Sequence, residues 1–173
     1  MDLAATLGSR LLVVYDGYCG LCHHTVQWLL ARDRHDRLRF APSSSPAVAA
    51  LLARHGFPPT LPDAPPGEGP GTILVLRAAA TPAEQLFTRS TAVAFVLAEL
   101  PRPWPIVARL LRLVPCPLRD LGYRLIARSR YRIWGRLTTC PLPTPEQRSR
   151  FLWSLVPHPS SLVPGPWSLV HAL

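Results

Sequence analysis

The chain has 173 residues, of which 48% are hydrophobic, and its formal net charge is +9 at pH 7. This length and apolar content favour one folded domain and exclude a wholly disordered chain. All 19 positive side chains are arginine. The absence of lysine argues against a nucleic-acid binder, since lysine contacts phosphate well.

The first half of the chain predicts alternating strands and helices. A short, apolar, β-branched run ends at Asp16-Gly17, and helical spacing follows from Cys19. Three serines then offer N-caps for a second helix, and Gly56 stops it. The predicted elements are a strand over residues 10–15, a helix over 19–34, a strand over 38–41 and a helix over 46–55.

The second half begins with a loop, because residues 57–71 hold six prolines and three glycines. A hairpin and then several helices follow. The predicted elements are strands over 72–77 and 85–88, a helix from Ser90 or Thr91 to Leu100, and helices over 106–114 and 118–129. A mostly irregular stretch over 130–139, with at most one helical turn, and a short helix over 145–155 complete the list.

This order predicts an α/β sandwich, with a mixed sheet of about four strands and an added C-terminal helical segment. Two strands joined by a helix form a parallel pair with a right-handed crossover. We expect one domain over residues 1–156, including C-terminal helices from about residue 104. A loosely ordered, proline-rich tail over 157–173 completes the prediction.

The candidate site is the dithiol Cys19 and Cys22, three residues apart where a strand passes into a helix. Unpaired N–H groups and the partial positive charge of a helix N-terminus favour a thiolate, which is the form that attacks a disulfide. This spacing places one sulfur at the exposed end of the helix and the other one turn in. Cys19 is therefore the predicted nucleophile and Cys22 the resolving thiol.

Four neighbours of the dithiol are further candidates. Asp16 follows a buried strand, and its carboxylate is a candidate acceptor of the Cys22 proton, with turn formation or helix capping as an equal alternative. Tyr18, Gly20 and Leu21 are candidates for the substrate groove. His23 and His24 come next, and we expect them to be solvated and not catalytic.

Two other kinds of site share these cysteines. Cys-Gly-Leu-Cys-His matches the haem c attachment pattern, but attachment implies export, and the apolar strand before the motif favours the dithiol interpretation. A zinc site would need Cys19 and Cys22 together with Cys116 and Cys140, which lack the spacing of a second Cys-x-x-Cys pair. We therefore predict no cofactor and no metal, and we expect Cys116 and Cys140 to be buried or partly buried structural thiols, with a relay through Cys140 left open.

Location and partners are predicted from charge and hydropathy. No secretory signal and no apolar run of about 18 residues is visible, so the expected compartment is the cytoplasm. Nine arginines lie between Arg102 and Arg136. Codon bias is one explanation for them; the other is a weak contact with an anionic membrane or an acidic partner.

Several separated motifs resemble the DCC family of thiol–disulfide oxidoreductases. They are Tyr15-Asp-Gly-Tyr-Cys-Gly-Leu-Cys22, Arg39-Phe-Ala-Pro42, Ser90-Thr-Ala92, Tyr123-Arg-Leu-Ile-Ala-Arg-Ser-Arg-Tyr-Arg-Ile-Trp-Gly-Arg136 and Cys140-Pro-Leu-Pro143.

The resemblance implies a thioredoxin-like fold and exchange with protein or small-molecule thiols and disulfides, carried by Asp16, Cys19 and Cys22. It also draws attention to the region of Tyr131, Gly135 and Cys140, without assigning it a role. In thioredoxins a cis-proline precedes the third strand, whereas Thr72 stands near that place here and is a further substrate-groove candidate. We expect a monomer, and the alternative function is a non-enzymatic interaction module or redox sensor that docks through the arginine-rich helices.

Overall fold

The computed structural model describes residues 3–57, 72–137 and 143–152. Within these ranges four strands form one sheet, namely β1 (Leu11–Tyr15), β2 (Leu38–Pro42), β3 (Leu74–Arg77) and β4 (Gln85–Thr88). The same ranges contain six helices, namely α1 (Leu3–Leu7), α2 (Gly20–Arg32), α3 (Pro46–Arg54), α4 (Arg89–Glu99), α5 (Trp104–Leu113) and α6 (Cys116–Trp134).

The strand order is β2-β1-β3-β4. β1 pairs in parallel with β2 and antiparallel with β3, and β3 pairs antiparallel with β4. This mixed, open sheet confirms the predicted α/β class and is that of a thioredoxin-like fold. Because β1 is central and buried at all five residues, its end at Tyr15 is a rigid platform for the residues that follow.

The sheet separates two hydrophobic cores. Leu11, Val13 and Tyr15 of β1 point into the core shared with α2 and α4. Leu12 and Val14 point into the core shared with α1 and α3. This alternation follows from the two-residue period of a strand, and it explains why β1 is apolar throughout.

Helix α6 is longer than predicted. Residues 130–134 continue the helix, so the prediction of an irregular stretch from residue 130 is wrong there, while residues 138 and 139 lie outside the described residues. Tertiary contacts explain the difference, because Arg130 is buried and bound to another part of the chain. Gly135, with φ of 71°, ends the helix in a conformation that glycine adopts without strain.

Two other boundaries differ from the predictions. α4 begins at Arg89, after Thr88 and not after Ser90 or Thr91. The predicted last helix is wrong in its described part, which contains turns and a 3₁₀ turn at Arg148–Arg150. Phe151 instead forms a β-bridge with Phe40 of β2. The backbone at Phe151 is therefore extended along the edge of the sheet. Residues 58–71 and 157–173, with the predicted loop and tail, lie outside the described residues.

Candidate active site

The dithiol lies where β1 passes into α2. Cys19 has an extended backbone and is the N-cap residue of α2. The backbone N–H of Cys22 donates to Cys19 Sγ over 3.4 Å. An N-cap side chain normally satisfies one free N–H of the first turn, and here the sulfur does so. The predicted placement at a helix start is therefore confirmed.

This arrangement separates the pKa values of the two thiols. Hydrogen bonds from the side chain and backbone of Cys22, with the charge of Arg130, lower the pKa of Cys19 to about 6 although its burial opposes the change. The hydrogen bond to Cys19 raises the pKa of Cys22, and burial and the nearby thiolate act in the same direction. At neutral pH the pair therefore consists of a Cys19 thiolate and a Cys22 thiol.

The exposure of the two sulfur-bearing side chains is the reverse of the prediction. Cys19 is 0% exposed, whereas Cys22 is only partly buried. The cause is the chain after α6, which runs beside residues 18–20. The N–H of Leu137 donates to the Tyr18 carbonyl over 2.9 Å, the N–H of Gly20 donates to the Gly135 carbonyl over 3.4 Å, and Cys19 pairs antiparallel with Arg136.

Gly20 makes this close approach of two backbones feasible. A Cβ at residue 20 would overlap the carbonyl oxygen of Trp134 and lie 3.3 Å from the carbonyl oxygen of Gly135. Gly20 therefore contributes to the site by having no side chain. We call the covering residues 134–137 the cover segment.

Asp16 is held by three donors. Its Oδ1 accepts the N–H of Tyr18 over 3.0 Å, and its Oδ2 accepts Arg130 Nη2 over 3.1 Å and the hydroxyl of Tyr131. Burial and the hydrogen bond to Asp16 raise the pKa of Tyr131 to about 12, so this hydroxyl keeps its proton. The carboxylate–guanidinium pair lies beside the dithiol and affects the pKa of Cys19 in two opposing ways, since Asp16 raises it and Arg130 lowers it.

Arg130 has no role in the sequence-based prediction, and Tyr131 is only part of a region worth attention. Their contacts with Asp16 join residues that are 114 and 115 positions apart in the chain. The spacing of residues within one helix or strand cannot predict contacts at this separation. The one available indication is the resemblance, whose late motif contains both residues.

The remaining candidates lie at different places. Tyr18 is half-buried, and the guanidinium of Arg136 lies 6.0 Å from its ring centroid. Leu21 is half-buried on the first turn of α2. Thr72 donates instead to the hydroxyl of Tyr123 on α6 over 3.0 Å. Within the described residues no hydrogen bond joins Thr72 to the dithiol, so its groove role stays a prediction.

The other cysteines are separate from this site. Cys116 is exposed at the start of α6, so the expectation of a buried or partly buried thiol is wrong for it. Cys140 lies outside the described residues. In the described ranges 3–57, 72–137 and 143–152, no three His, Cys, Asp or Glu side chains group as metal ligands.

A mixed four-stranded sheet with a dithiol at the N-terminus of the first helix after its central strand defines a thioredoxin-like dithiol protein. The chain belongs to the DCC1-like thiol-disulfide oxidoreductase family, whose sequence model matches residues 13–136. This range includes the dithiol and residues 134–136 of the cover segment.

Two relatives support the assignment. The uncharacterized protein YuxK of Bacillus subtilis is 32% identical over 141 residues, covering 82% of this chain and 93% of that protein. A chloroplastic DCC family protein of Arabidopsis thaliana is 29% identical over 134 residues, covering 78% of this chain and 70% of that protein. No solved structure matches.

Proposed function

We propose that the protein exchanges disulfides with protein or small-molecule partners, with Cys19 as the nucleophile and Cys22 as the resolving thiol. The observation that carries this assignment is the position of Cys19 as the N-cap of α2, where its sulfur accepts the Cys22 N–H and the pKa values of the two thiols shift in opposite directions. With its pKa at about 6, Cys19 is about nine-tenths thiolate at pH 7, compared with a few per cent for an ordinary cysteine. Membership of the family supports the reaction class.

The reaction proceeds through two displacements. The Cys19 thiolate attacks one sulfur of the partner disulfide, forms a mixed disulfide and releases the other sulfur as a thiolate. Cys22 then attacks the Cys19 sulfur, which closes the Cys19–Cys22 disulfide and releases the second thiolate. The released thiolates take up protons, and two electrons pass from the protein to the partner.

The same hydrogen bond controls when Cys22 becomes reactive. While Cys19 is a thiolate, it accepts a hydrogen bond from the Cys22 thiol, and this bond keeps the Cys22 pKa high. Once Cys19 is bonded to the partner, its sulfur carries no charge, and this cause of the raised pKa disappears. Cys22 therefore becomes a competent attacking group only after the mixed disulfide has formed.

The role of Asp16 as acceptor of the Cys22 proton stays a prediction. Its carboxylate already binds Arg130, Tyr131 and the N–H of Tyr18. These contacts favour a positioning role, in which Asp16 orients Arg130 beside the dithiol. The location in the cytoplasm and the monomeric state also stay predictions.

Attack by Cys19 requires the cover segment to move, because the nucleophile is fully buried beneath it. Two backbone hydrogen bonds, which form the antiparallel bridge between Cys19 and Arg136, fasten the segment. A partner peptide that takes over these backbone groups would replace the cover segment by the same kind of pairing.

Reduction of insulin or of a small aromatic disulfide tests the reaction. We expect activity in the wild type, no activity in Cys19→Ser, and trapped mixed disulfides on Cys19 in Cys22→Ser. The background should carry Cys116→Ser and Cys140→Ser, because Cys116 is exposed and would capture partners on its own. A wild-type dithiol that cannot cycle between its oxidised and reduced forms would contradict the proposal.

A further inference from the structure

Helices α5 and α6 carry an exposed apolar surface. All the exposed large hydrophobic side chains of the described residues lie on these two helices, and Leu113 is 79% exposed. We call this set the apolar face; it consists of Ile106, Val107, Leu110, Leu113, Leu118, Leu121, Leu125, Ile126, Ile133 and Trp134. A scattered exposed leucine is ordinary, but ten exposed large side chains on two successive helices mark an interaction surface.

Arginines border the apolar face. Residues 102–136 contain nine arginines and a single acidic residue, Asp120. On α6, Arg124, Arg128 and Arg132 recur every fourth residue and form one row along the helix. Arg128 and Arg132 have no hydrogen-bond or ion-pair partner in the described part of the chain. Their charges are therefore available to an anionic surface.

An open cavity of about 300 Å³ lies at the edge of this row. Arg124 and Arg128 line it together with Arg89, and Thr72, Thr88 and Tyr123 are also among its lining residues. Three arginines around one cavity suit a phosphate group, because arginine binds phosphate with paired N–H groups. Two of the cavity's arginines thus belong to the border of the apolar face.

We propose that α5 and α6 dock the protein on an anionic membrane surface, with the apolar face in the interfacial layer and the arginine row on lipid phosphates. An apolar face with a basic border is the pattern of helices that lie in the plane of the interface. Among the described residues no helix is long and apolar enough to cross a membrane. A second copy of the chain fits less well, since it would bring two arginine rows together.

Flotation with vesicles of phosphatidylcholine, alone or mixed with phosphatidylglycerol, tests the proposal on the full chain. We expect binding to the mixed vesicles that weakens with added salt. Arg128→Gln with Arg132→Gln should lower the affinity by about tenfold or more. The matched control is Arg34→Gln with Arg148→Gln, which removes the same charge from exposed positions outside α5 and α6 and should leave most of the binding.

A second pair of variants tests the apolar face. Leu110→Gln with Leu113→Gln should lower the affinity by at least about tenfold, whereas Leu110→Met with Leu113→Met should retain it. Exchange of a small disulfide in solution should be unchanged in both pairs, so failure of docking is distinguishable from failure of the proposed reaction.

Four results would overturn docking on a membrane. They are equal binding to both kinds of vesicle, no binding by the folded wild type, dimerisation that the Leu110→Gln and Leu113→Gln changes abolish, and binding to polyglutamate that these changes leave intact. The last two would assign the apolar face to a second copy and the arginines to an acidic protein.

Discussion

Replacement of Gly20 by alanine should open the site. The new Cβ would overlap the carbonyl oxygen of Trp134 and lie 3.2 Å from its carbonyl carbon, and both atoms are backbone. Relief requires a shift on the order of 1 Å, because non-bonded carbon prefers separations of about 3.5–4.0 Å. This shift would break the hydrogen bonds of Gly20 and Leu137 across the cover segment, which are worth about 1 kcal/mol each.

The predicted net loss in the free energy of unfolding is about 2 kcal/mol. Overpacking costs about 1–3 kcal/mol, and the better helix propensity of alanine returns up to about 1 kcal/mol. If the clash is relieved by detachment of the cover segment, Cys19 becomes accessible in a larger fraction of molecules. A change of about 2 kcal/mol in that opening equilibrium corresponds to roughly a thirtyfold rise in the alkylation rate of Cys19.

Alkylation with iodoacetamide, located by peptide mass spectrometry, and urea unfolding measure these two effects. The control is Gly122→Ala, because a Cβ at Gly122 on α6 meets nothing within 4 Å. That change should stabilise the protein by up to about 1 kcal/mol and leave Cys19 alkylation unchanged. Equal stability and equal Cys19 alkylation in Gly20→Ala and wild type would refute the packing argument and the covering role of residues 134–137.

Three further predictions concern charge. Arg130→Gln should raise the pKa of Cys19 above about 6, and Arg130→Lys should bring this pKa part of the way back. The ultraviolet absorbance of the thiolate measures the pKa in each variant. An unchanged pKa in Arg130→Gln would show that Arg130 does not act on the charge of Cys19. Cys22→Ala removes the main cause of the lowered Cys19 pKa. The pKa of Cys19 is about 6 in the folded protein, compared with an ordinary value of 9.0. The reduced protein should therefore become more stable as the pH rises between these values, and Cys22→Ala should flatten this gain in urea unfolding. Asp33→Ala should lower the free energy of unfolding by about 2–5 kcal/mol, because the buried carboxylate accepts hydrogen bonds from two backbone N–H groups and from Arg150. A loss under about 1 kcal/mol would contradict this role of the carboxylate.

The dithiol and its platform could be predicted because their signals are local. The apolar run ending at Tyr15 and the helical spacing after Cys19 each need only a short window of sequence. A parallel pair of strands joined by a helix followed from the crossover rule, and β1 and β2 form such a pair. The hairpin of β3 and β4 followed from two short strand patterns close together in the chain. Each of these elements was predicted to within about two residues.

The electrostatic neighbours of the dithiol could not be predicted in this way. Arg130 approaches Asp16 only after α6 has packed against α2 and α4, so its contact depends on the whole fold. The same tertiary contact extends α6 past Ser129, where local propensity gave no reason to continue. The burial of Cys19 has a similar origin, because residues far along the chain cover a position that a helix start alone would leave exposed.

Helix α6 shows why the arginine content is more than a compositional bias. A bias explains why arginine replaces lysine, but it does not explain where arginine is placed. Arg130 is buried and bridges Asp16 and Tyr131 beside the dithiol, a task that suits a planar group with several N–H donors. Arg128 and Arg132, two residues away on either side, are exposed and without partners in the described residues. One helix therefore presents the same side chain to the reaction site on one face and to solvent on the other, and the Arg130 and Arg128 substitutions should separate these two roles.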